Sequence, residues 1–486
     1  MNDHSVQPSA GSGSSRGESR DENLRSSPTT TDIKQADRSR LPAVGPTPGF
    51  QFPPIDKSSL PNGLRVWTVT RSTLPLVTLT LVIRRGAAVD PPGKEGLAAL
   101  TLDMLDEGSG GRSAIEMHEE LARLGTRLDS DIGSDAMMLS LTALSRVADG
   151  GLAIMADMAV RPSLLEQDFD RVRQLRLHRL KQLRDVPSAV ADRAFVRLLY
   201  GSHPYGHTPL GSVAALTALS VDDIQAFHRA QICPADATLI AVGDCDHQAI
   251  LDFADAAFGD WSGALAGDQP PNPSLPDAAR INVIARAGAS QSELRIGHVA
   301  VARHTPDYHA IVAANAVLGG QFTSRINLNL REDKGFTYGA YTGFDFRRLP
   351  GPFTLYGSVD TAATSRAIAE SLGEIAAIRG PRPASAPELL LAVAGLTRGY
   401  ARNFETVEQV ARAVMQLALY DLPDDHFSAF VPRVEAVTPE EVTRVAQQYL
   451  HPDRLTTLVV GDLDRIGTDL AGLGLGEPRV LSAEVV

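Results

Sequence analysis

The spacing of apolar residues along the chain changes between a period of two and the longer period of a helix. Residues 76–84 alternate apolar and polar positions, which predicts a strand. The pattern of the first half further predicts a strand at 63–68 and helices at 94–106, 113–124 and 163–184. Strands that follow one another beside helices predict an α+β fold, in which helices pack on one face of mixed or mainly antiparallel sheets.

One segment of the chain occurs twice, at 220–246 and at 438–464, with no gap and a constant offset of 218 residues. Each copy starts with Ser or Thr followed by acidic residues, which favour a helix N-terminus. A proline follows each helix, and an apolar run before Gly-Asp-x-Asp predicts a buried strand. We interpret the repeat as an internal duplication that produces two homologous domains. The second copy opens with predicted strands at 281–286 and 292–300 and a helix at 306–318.

Two changes in composition mark the ends of these domains. Residues 1–41 are rich in Ser and Thr and contain no aromatic residue, so they bury too little apolar surface to fold. Four prolines between 270 and 276 exclude a helix or a central strand and predict a linker. The predicted organisation is a disordered tail and extended lead-in at 1–54, an N-terminal domain at 55–261, a Pro-rich linker at 262–277, a C-terminal domain at 278–470 and a C-terminal tail at 471–486.

Composition and charge exclude several classes of function. The formal net charge of −12 and the lack of a long basic block argue against a nucleic-acid-binding surface. No run of apolar residues is long enough for a membrane span, and two cysteines cannot form a disulfide framework. The N-terminal segment has no apolar core typical of a secretory signal, so we expect a cytoplasmic protein. A periplasmic location is the alternative if the start codon is misassigned.

Four segments, in this order along the chain, resemble the pitrilysin/insulinase family of inverted zinc peptidases. They are NGLRVWTV at 62–69, GLAALTLDMLDEGS at 96–109, YGSHPYGHTPLGS at 200–212 and ASQSELRIGHVAVARHTPDYHAIVAANAVLGGQFTSRINLNLREDKGFTYGAYT at 289–342. The resemblance covers nearly the whole chain after residue 55. It implies that this chain forms one half of a closed assembly. In the smaller bacterial and mitochondrial members, two such two-domain chains face each other and enclose a chamber that holds a peptide.

The zinc motif of that family is missing from this chain. Family peptidases carry H-x-x-E-H on a helix, where the two histidines share one zinc ion and the glutamate serves as general base. The matching positions here are Ala99, Leu102 and Asp103, and Val172 occupies the position of the third ligand on a later helix. One carboxylate is insufficient to hold zinc. We therefore predict that this chain binds no catalytic metal.

Two other groups of residues are a run of cations on one predicted helix and three histidines. Six cations follow one another on the predicted helix at 163–184, and they form either a solvated face or a charge that repels a divalent metal. They are Arg171, Arg173, Arg176, Arg179, Lys181 and Arg184. His118 begins an incomplete zinc motif, and we expect it to face solvent. His203 and His207 flank a Pro-Tyr-Gly loop, where packing of a turn is favoured over metal binding.

The second copy keeps the residues that the resemblance associates with substrate binding. Arg331 and Tyr338 match the family's pair that hydrogen-bonds the carbonyl beside the scissile bond. A charged guanidinium and a neutral hydroxyl together suit an oxygen that gains negative charge. Gly319 and Gly320 lie where partner subunits of processing peptidases carry a longer glycine-rich loop. The alternative is an Arg that pairs with local carboxylates and a Tyr that fills the core.

These observations favour a non-catalytic, substrate-binding subunit of a heterodimeric zinc peptidase. A sibling chain with H-x-x-E-H is the expected partner and the expected holder of zinc, and an unstructured peptide is the expected substrate. One alternative is a scaffold protein that uses the same fold without a peptidase role. Another is an independent enzyme whose chemistry has moved elsewhere in the chain.

Overall fold

Two six-stranded sheets organise the chain, one in each half. The computed structural model describes residues 49–263, 270–273 and 280–482, together with residues 39 and 45. The strands of the first half are β1 (Asp56–Ser59), β2 (Arg65–Thr70), β3 (Leu76–Ile83), β4 (Gly108–Ser109), β5 (Arg112–Ser113), β6 (Leu128–Ile132), β7 (Met137–Leu144) and β8 (Ala237–Gly243). Those of the second half are β9 (Ile281–Ala285), β10 (Gln291–Val301), β11 (Ala340–Phe344), β12 (Gly351–Asp360), β13 (Thr456–Gly461) and β14 (Arg479–Leu481).

Helices connect these strands in both halves. The first half contains α1 (Leu97–Leu105), α2 (Ala114–Arg123), α3 (Ala148–Val160), α4 (Glu166–Leu183), α5 (Pro187–Tyr200), α6 (Val213–Ala218), α7 (Val221–Gln231) and α8 (His247–Phe258). The second half contains α9 (Tyr308–Leu318), α10 (Arg325–Asn327), α11 (Thr364–Ala377), α12 (Ala386–Thr397), α13 (Val407–Tyr420), α14 (Phe430–Glu435), α15 (Pro439–Tyr449) and α16 (Leu463–Ala471). Capping boxes begin α7 at Ser220 and α15 at Thr438, as the repeated segment predicts.

Five strands of each sheet share one order, which confirms the predicted α+β architecture with two related halves. The sixth strands differ, since β1 pairs antiparallel with β2 and β14 pairs parallel with β9. The first sheet runs β1-β2-β8-β3-β7-β6, and the second runs β14-β9-β13-β10-β12-β11. Most neighbours are antiparallel, whereas β2–β8, β9–β13 and β9–β14 are parallel. The strands predicted before Gly243 and Gly461 are the equivalent strands β8 and β13.

Each sheet is covered on both faces, and the second cover comes from the other half. In β3, Leu81 faces the helices of its own half, whereas Val82 faces α13 of the second half. In the second sheet, α5 of the first half packs against β10 and β13. Because both faces are buried, β8 and β13 consist of continuous apolar runs rather than alternating ones. Helices of the same half cover one face of each sheet, as predicted, and the exchange of α5 and α13 between the halves adds the second layer.

Two terminal segments take part in the fold. Phe50 and Phe52, in the predicted lead-in, pack against the Phe404 ring at centroid distances of 4.6 and 5.4 Å. In the predicted C-terminal tail, β14 pairs with β9. Most of the predicted disordered tail, parts of the Pro-rich linker and the last four residues lie outside the described residues.

The contacts divide the chain into Met1–Pro48 and a compact unit at Gly49–Val486, and the site described below belongs to the second unit. Among the described helices, none combines the length and the apolar character needed to cross a bilayer.

Candidate functional site

The helix that carries the degenerate zinc motif begins at a buried carboxylate. Asp90 accepts hydrogen bonds of 2.7 Å from the main-chain N–H groups of Gly96 and Ala98, and His207 Nε2 lies 3.1 Å from the same carboxylate. Gly96 has φ of 101°, and a Cβ there would lie 2.9 Å from Gly211 Cα. These contacts place the first residue of α1 at Leu97, three residues later than the start of the predicted helix.

The positions of the zinc motif are filled by apolar core and by one ion pair. Ala99 is fully buried and Leu102 is 2% exposed, both among the apolar side chains of the first half. The carboxylate of Asp103 accepts a hydrogen bond of 2.6 Å from Arg176 Nε on α4. A divalent metal does not fit here, because two of the three motif side chains carry no ligand atom and a guanidinium already binds the third.

The basic run on α4 divides into paired and exposed cations. Arg171 pairs with Glu107, and Arg173 pairs with Asp170 at 2.8 Å. Arg176 reaches the degenerate motif, whereas the three cations nearer the end of the helix are exposed: Arg179, Lys181 and Arg184. Val172, at the position of the family's third ligand, is 4% exposed and packs in the apolar core. The positive charge of this helix is visible in the sequence, whereas the pairing of Arg176 with Asp103 is not.

The other candidate histidines make ordinary structural contacts. His118 lies on an exposed part of α2, 3.5 Å from Asp106, a carboxyl whose pKa is raised by burial. His203 Nδ1 accepts the N–H of Tyr205, and His207 contacts the carboxylate of Asp90. Across the described ranges, no group of three or more His, Cys, Asp or Glu side chains is placed to hold a metal ion.

In the second half, Arg331 lies on a turn of π-helix at Leu328–Asp333, beside the start of β11. Its guanidinium stacks 3.8 Å from the centre of the Phe322 ring, and Nη1 lies 3.1 Å from the Glu332 carboxylate. The aromatic ring fixes the plane of the guanidinium while part of the side chain stays open to solvent.

Tyr338 projects from the loop that follows this turn. The side chain is 92% exposed. Gly335 has φ of 62°, which lets the chain reverse, and the Thr337 hydroxyl donates to the Ser358 carbonyl at 2.6 Å. The loop is therefore anchored to β12 next to a tyrosine whose side chain is exposed and has no hydrogen-bond partner among the described residues. This exposure does not fit the alternative of a tyrosine that fills the core.

Gly319 and Gly320 pack tightly rather than form an open loop. A Cβ on Gly319 would lie 2.4 Å from Thr342 Oγ1, and one on Gly320 would lie 2.6 Å from Asn315 Nδ2. The Gly319 carbonyl accepts the N–H of Thr342 at 3.0 Å. Gly319 is thus explained by close approach of the end of α9 to β11, and Gly320 by its close contact with Asn315 of α9 itself.

The outer edges of the two sheets differ in a way that the sequence does not reveal. At β11, Asn315 donates to the Thr342 carbonyl at 3.1 Å, and Asn327 accepts the Ala340 N–H at 3.2 Å. Together with the Gly319 bond, these contacts occupy the outer edge of β11. The second sheet is therefore closed to an added strand at this edge.

The equivalent edge of the first sheet, β6, is open. A 2.9 Å bond from the Gly133 N–H to the Ala136 carbonyl fixes the hydrogen-bond alternation between β6 and β7. This alternation turns the main chains of Leu128 and Ser130 outward, and within the described part of the chain no hydrogen bond reaches them. The β6 edge also lies against α1, so an extended peptide on it would lie near the degenerate motif.

A cavity of about 410 Å3 continues from the end of β6. Asp131 and Asp135 line it from the first half, and Arg347 and Tyr420 line it from the second. The cavity thus adjoins the end of the open β6 edge, and both halves contribute to its lining.

Comparison with known proteins agrees with the resemblance found in the sequence. A family sequence model for insulinase (peptidase family M16) matches residues 65–211, and one for the peptidase M16 inactive domain matches residues 218–394. An uncharacterized zinc protease of Streptomyces coelicolor is 25% identical over 59% of this chain and 64% of its own length. An uncharacterized zinc protease of Bacillus subtilis is 22% identical over 62% of this chain and 73% of its own length.

Two solved structures share the fold. A peptidase M16 inactive domain from Pseudomonas fluorescens superposes with a TM-score of 0.79 at 23% identity, covering 84% of this chain and 98% of its own. A protease from Helicobacter pylori gives 0.76 at 18% identity, covering 84% of this chain and 99% of its own. With both family models matched in order along the chain, this protein belongs to peptidase family M16, the insulinase family.

Proposed function

We propose that this chain is a non-catalytic, peptide-binding subunit of a heterodimeric zinc peptidase of the cytoplasm. The observation that best supports this proposal is a difference between the candidate site residues of the two halves. The motif positions of the first half are filled by Ala99, Leu102 and the Asp103–Arg176 pair, whereas the second half presents Arg331 and the exposed Tyr338. A sibling chain with H-x-x-E-H supplies the zinc ion and the hydrolysis.

In this proposal the peptide is held in an extended form and Arg331 and Tyr338 bind its main chain. The open edge of β6 offers main-chain donors and acceptors at Leu128 and Ser130, which is the requirement for strand addition. The Arg331 guanidinium and the Tyr338 hydroxyl are two donors for the carbonyl oxygen beside the bond that the sibling cleaves. Arg331 is positioned in advance by the Phe322 ring, so little ordering is needed on binding.

The experiment mixes the purified chain with a sibling subunit that carries H-x-x-E-H and measures cleavage of fluorescein-labelled casein peptides. Removing one donor to a developing oxyanion costs on the order of 10²–10³ in kcat. We expect a loss of that size for Arg331→Ala, and a smaller loss for Tyr338→Phe, which removes only the hydroxyl.

Arg173→Ala is the matched control, because Arg173 also stacks on a phenylalanine, at 4.8 Å from the Phe169 ring, but lies on α4 of the first half. It should leave cleavage within about twofold of the unmodified mixture. Equal activity of the Arg331→Ala mixture and the unmodified mixture would contradict a substrate-binding role of Arg331 and would favour the scaffold alternative.

A further inference from the structure

A buried cluster of cationic and titratable side chains lies where the second half meets the first. Arg303 is 7% exposed, and its guanidinium lies 3.7 Å from the centre of the Tyr308 ring. Its Nη2 donates to Nε2 of His426 at 2.8 Å, so His426 is an acceptor and its ring is neutral. The hydrogen bonds and ion pairs of the described residues give Arg303 no carboxylate partner.

A second histidine completes the cluster. The ring of His309 lies 6.0 Å from that of His426 and 5.7 Å from that of Phe430. Its Nε2 atom is buried and has no hydrogen-bond partner among the described residues. Burial, with the nearby charges of Arg303 and Arg433, lowers the pKa of both histidines to about 4. Both rings are therefore neutral at pH 7.

Among the described residues, the carboxylates near the two histidines are already paired with other groups, so they do not neutralise added protons. Besides Arg303, the cation facing both rings is Arg433, which lies 3.6 Å from Asp425 in an exposed pair. Asp307, next to Tyr308 in the chain, is already bound to Arg444 and to the Tyr449 hydroxyl. The remaining titratable neighbours of Arg303 are tyrosines at 308, 400 and 420. Protonation of both histidines would place three positive charges together inside the protein.

The cluster sits in the apolar seam that joins the halves. Tyr308, Tyr400 and Phe430 belong to the same apolar group as Trp67 and Val82 of the first sheet. The segment after His426 also holds the N-terminal lead-in, since Phe52 donates its main-chain N–H to the Ser428 hydroxyl at 2.8 Å and packs on Phe427. Each half has its own separate core behind its own sheet. Arg303, His309 and His426 all belong to the second half, so their repulsion acts between the start of α9 and the segment 426–430. That segment carries Phe430 and the contacts to Phe52, so its displacement weakens the packing of the second half on the first sheet.

We propose that this cluster is an acid-sensitive latch between the two halves. When His309 and His426 take up protons beside Arg303, the helices of the second half separate from the first sheet, while each half keeps its own core. The direction follows from linkage: the unfolded or opened form binds the protons more tightly, so closure is fully favoured above about pH 6.5 and is lost as the pH falls toward 4.

The two tryptophans of the chain allow a direct test. Trp67 lies in the seam, and Trp261 lies in the core of the first half. Single-tryptophan variants, Trp261→Phe and Trp67→Phe, are titrated from pH 7.5 to 3.5 and followed by fluorescence and far-UV circular dichroism. We expect the Trp67 emission to change at higher pH than both the Trp261 emission and the dichroism.

Histidine variants identify the responsible groups. His426→Gln keeps an acceptor for Arg303 but does not titrate, and His309→Phe suits the aromatic surroundings. In the Trp261→Phe background, either substitution should lower the midpoint of the Trp67 change, and both together should lower it by about one pH unit or more. His298→Gln is the control, since His298 is also a buried histidine, with its pKa likewise lowered to about 4 by burial, but lies in the second sheet beside Phe353. Coincident changes of both tryptophans, or a midpoint that the seam variants leave unchanged, would overturn the latch.

Discussion

At the scale of single residues, the sequence shows that the zinc-motif positions lack ligand atoms. It does not show which contacts those positions make instead. Ala99, Leu102 and Asp103 show directly that two motif side chains lack a ligand atom. The partner of Asp103 is Arg176, which is 73 residues away and is brought near only when α1 and α4 pack together. One basic residue among six on a helix carries no signal of that contact.

The residue at the position of the family's general base is expected to stabilise the fold. Leu102→Ala removes a side chain that is 2% exposed in the core of the first half, so it should lower the free energy of unfolding by about 2–5 kcal/mol. Leu175→Ala is the matched control, because Leu175 on α4 is 57% exposed and should cost less than about 0.5 kcal/mol. Urea unfolding of the two variants provides the measurement. Similar stabilities would show that Leu102 is not part of a packed core.

At the scale of elements, the sequence predicts most of the strands and helices that position the site. The predicted strand at 76–84 is β3, and the predicted helix at 163–184 is α4 with small differences at its ends. Whether an edge strand is open to pairing with another strand could not be predicted from the sequence, because this depends on hydrogen bonds from distant loops. Asn315 and Asn327 close β11, and nothing in their local sequence distinguishes them from other polar residues near a turn.

Strand addition at β6 can be tested with a proline. Ser130→Pro removes an outward N–H and leaves the bonds between β6 and β7 in place, so binding of fluorescein-labelled casein peptides should weaken by about tenfold or more. The thermal unfolding temperature should change little, because the substitution is on an edge strand. Ser130→Ala keeps the N–H and should bind as the unmodified chain does. Unchanged fluorescence anisotropy titrations for Ser130→Pro would exclude β6 as the peptide-binding edge.

At the scale of the whole molecule, the duplication is visible in the sequence and the exchange of helices is not. The offset of 218 residues predicts two related halves, and the shared strand order confirms them. That α5 covers the second sheet and α13 covers the first could not be read from the repeat, because either sheet presents a similar apolar face. The continuous apolar runs of β8 and β13 were the available signal that both faces are buried.

The packing of α13 on the first sheet also explains why both halves line the cavity at the end of β6. α13 supplies Tyr420 to the cavity at the end of β6, while the first half supplies Asp131 and the open edge. The proposed substrate-binding residues Arg331 and Tyr338 lie in the second half. In the proposed function, a single chain offers peptide-binding groups from both halves, while its degenerate motif lacks the ligand atoms of a zinc site.

The most direct measurement of the central claim uses the isolated full-length chain with fluorescein-labelled casein peptides and added zinc, followed by mass spectrometry of the peptides and elemental analysis of the re-purified protein. We expect the peptides to bind but remain intact, and the protein to retain far less than one zinc ion per chain. Cleavage by the isolated chain that a chelator abolishes, with one zinc ion retained per chain, would contradict it.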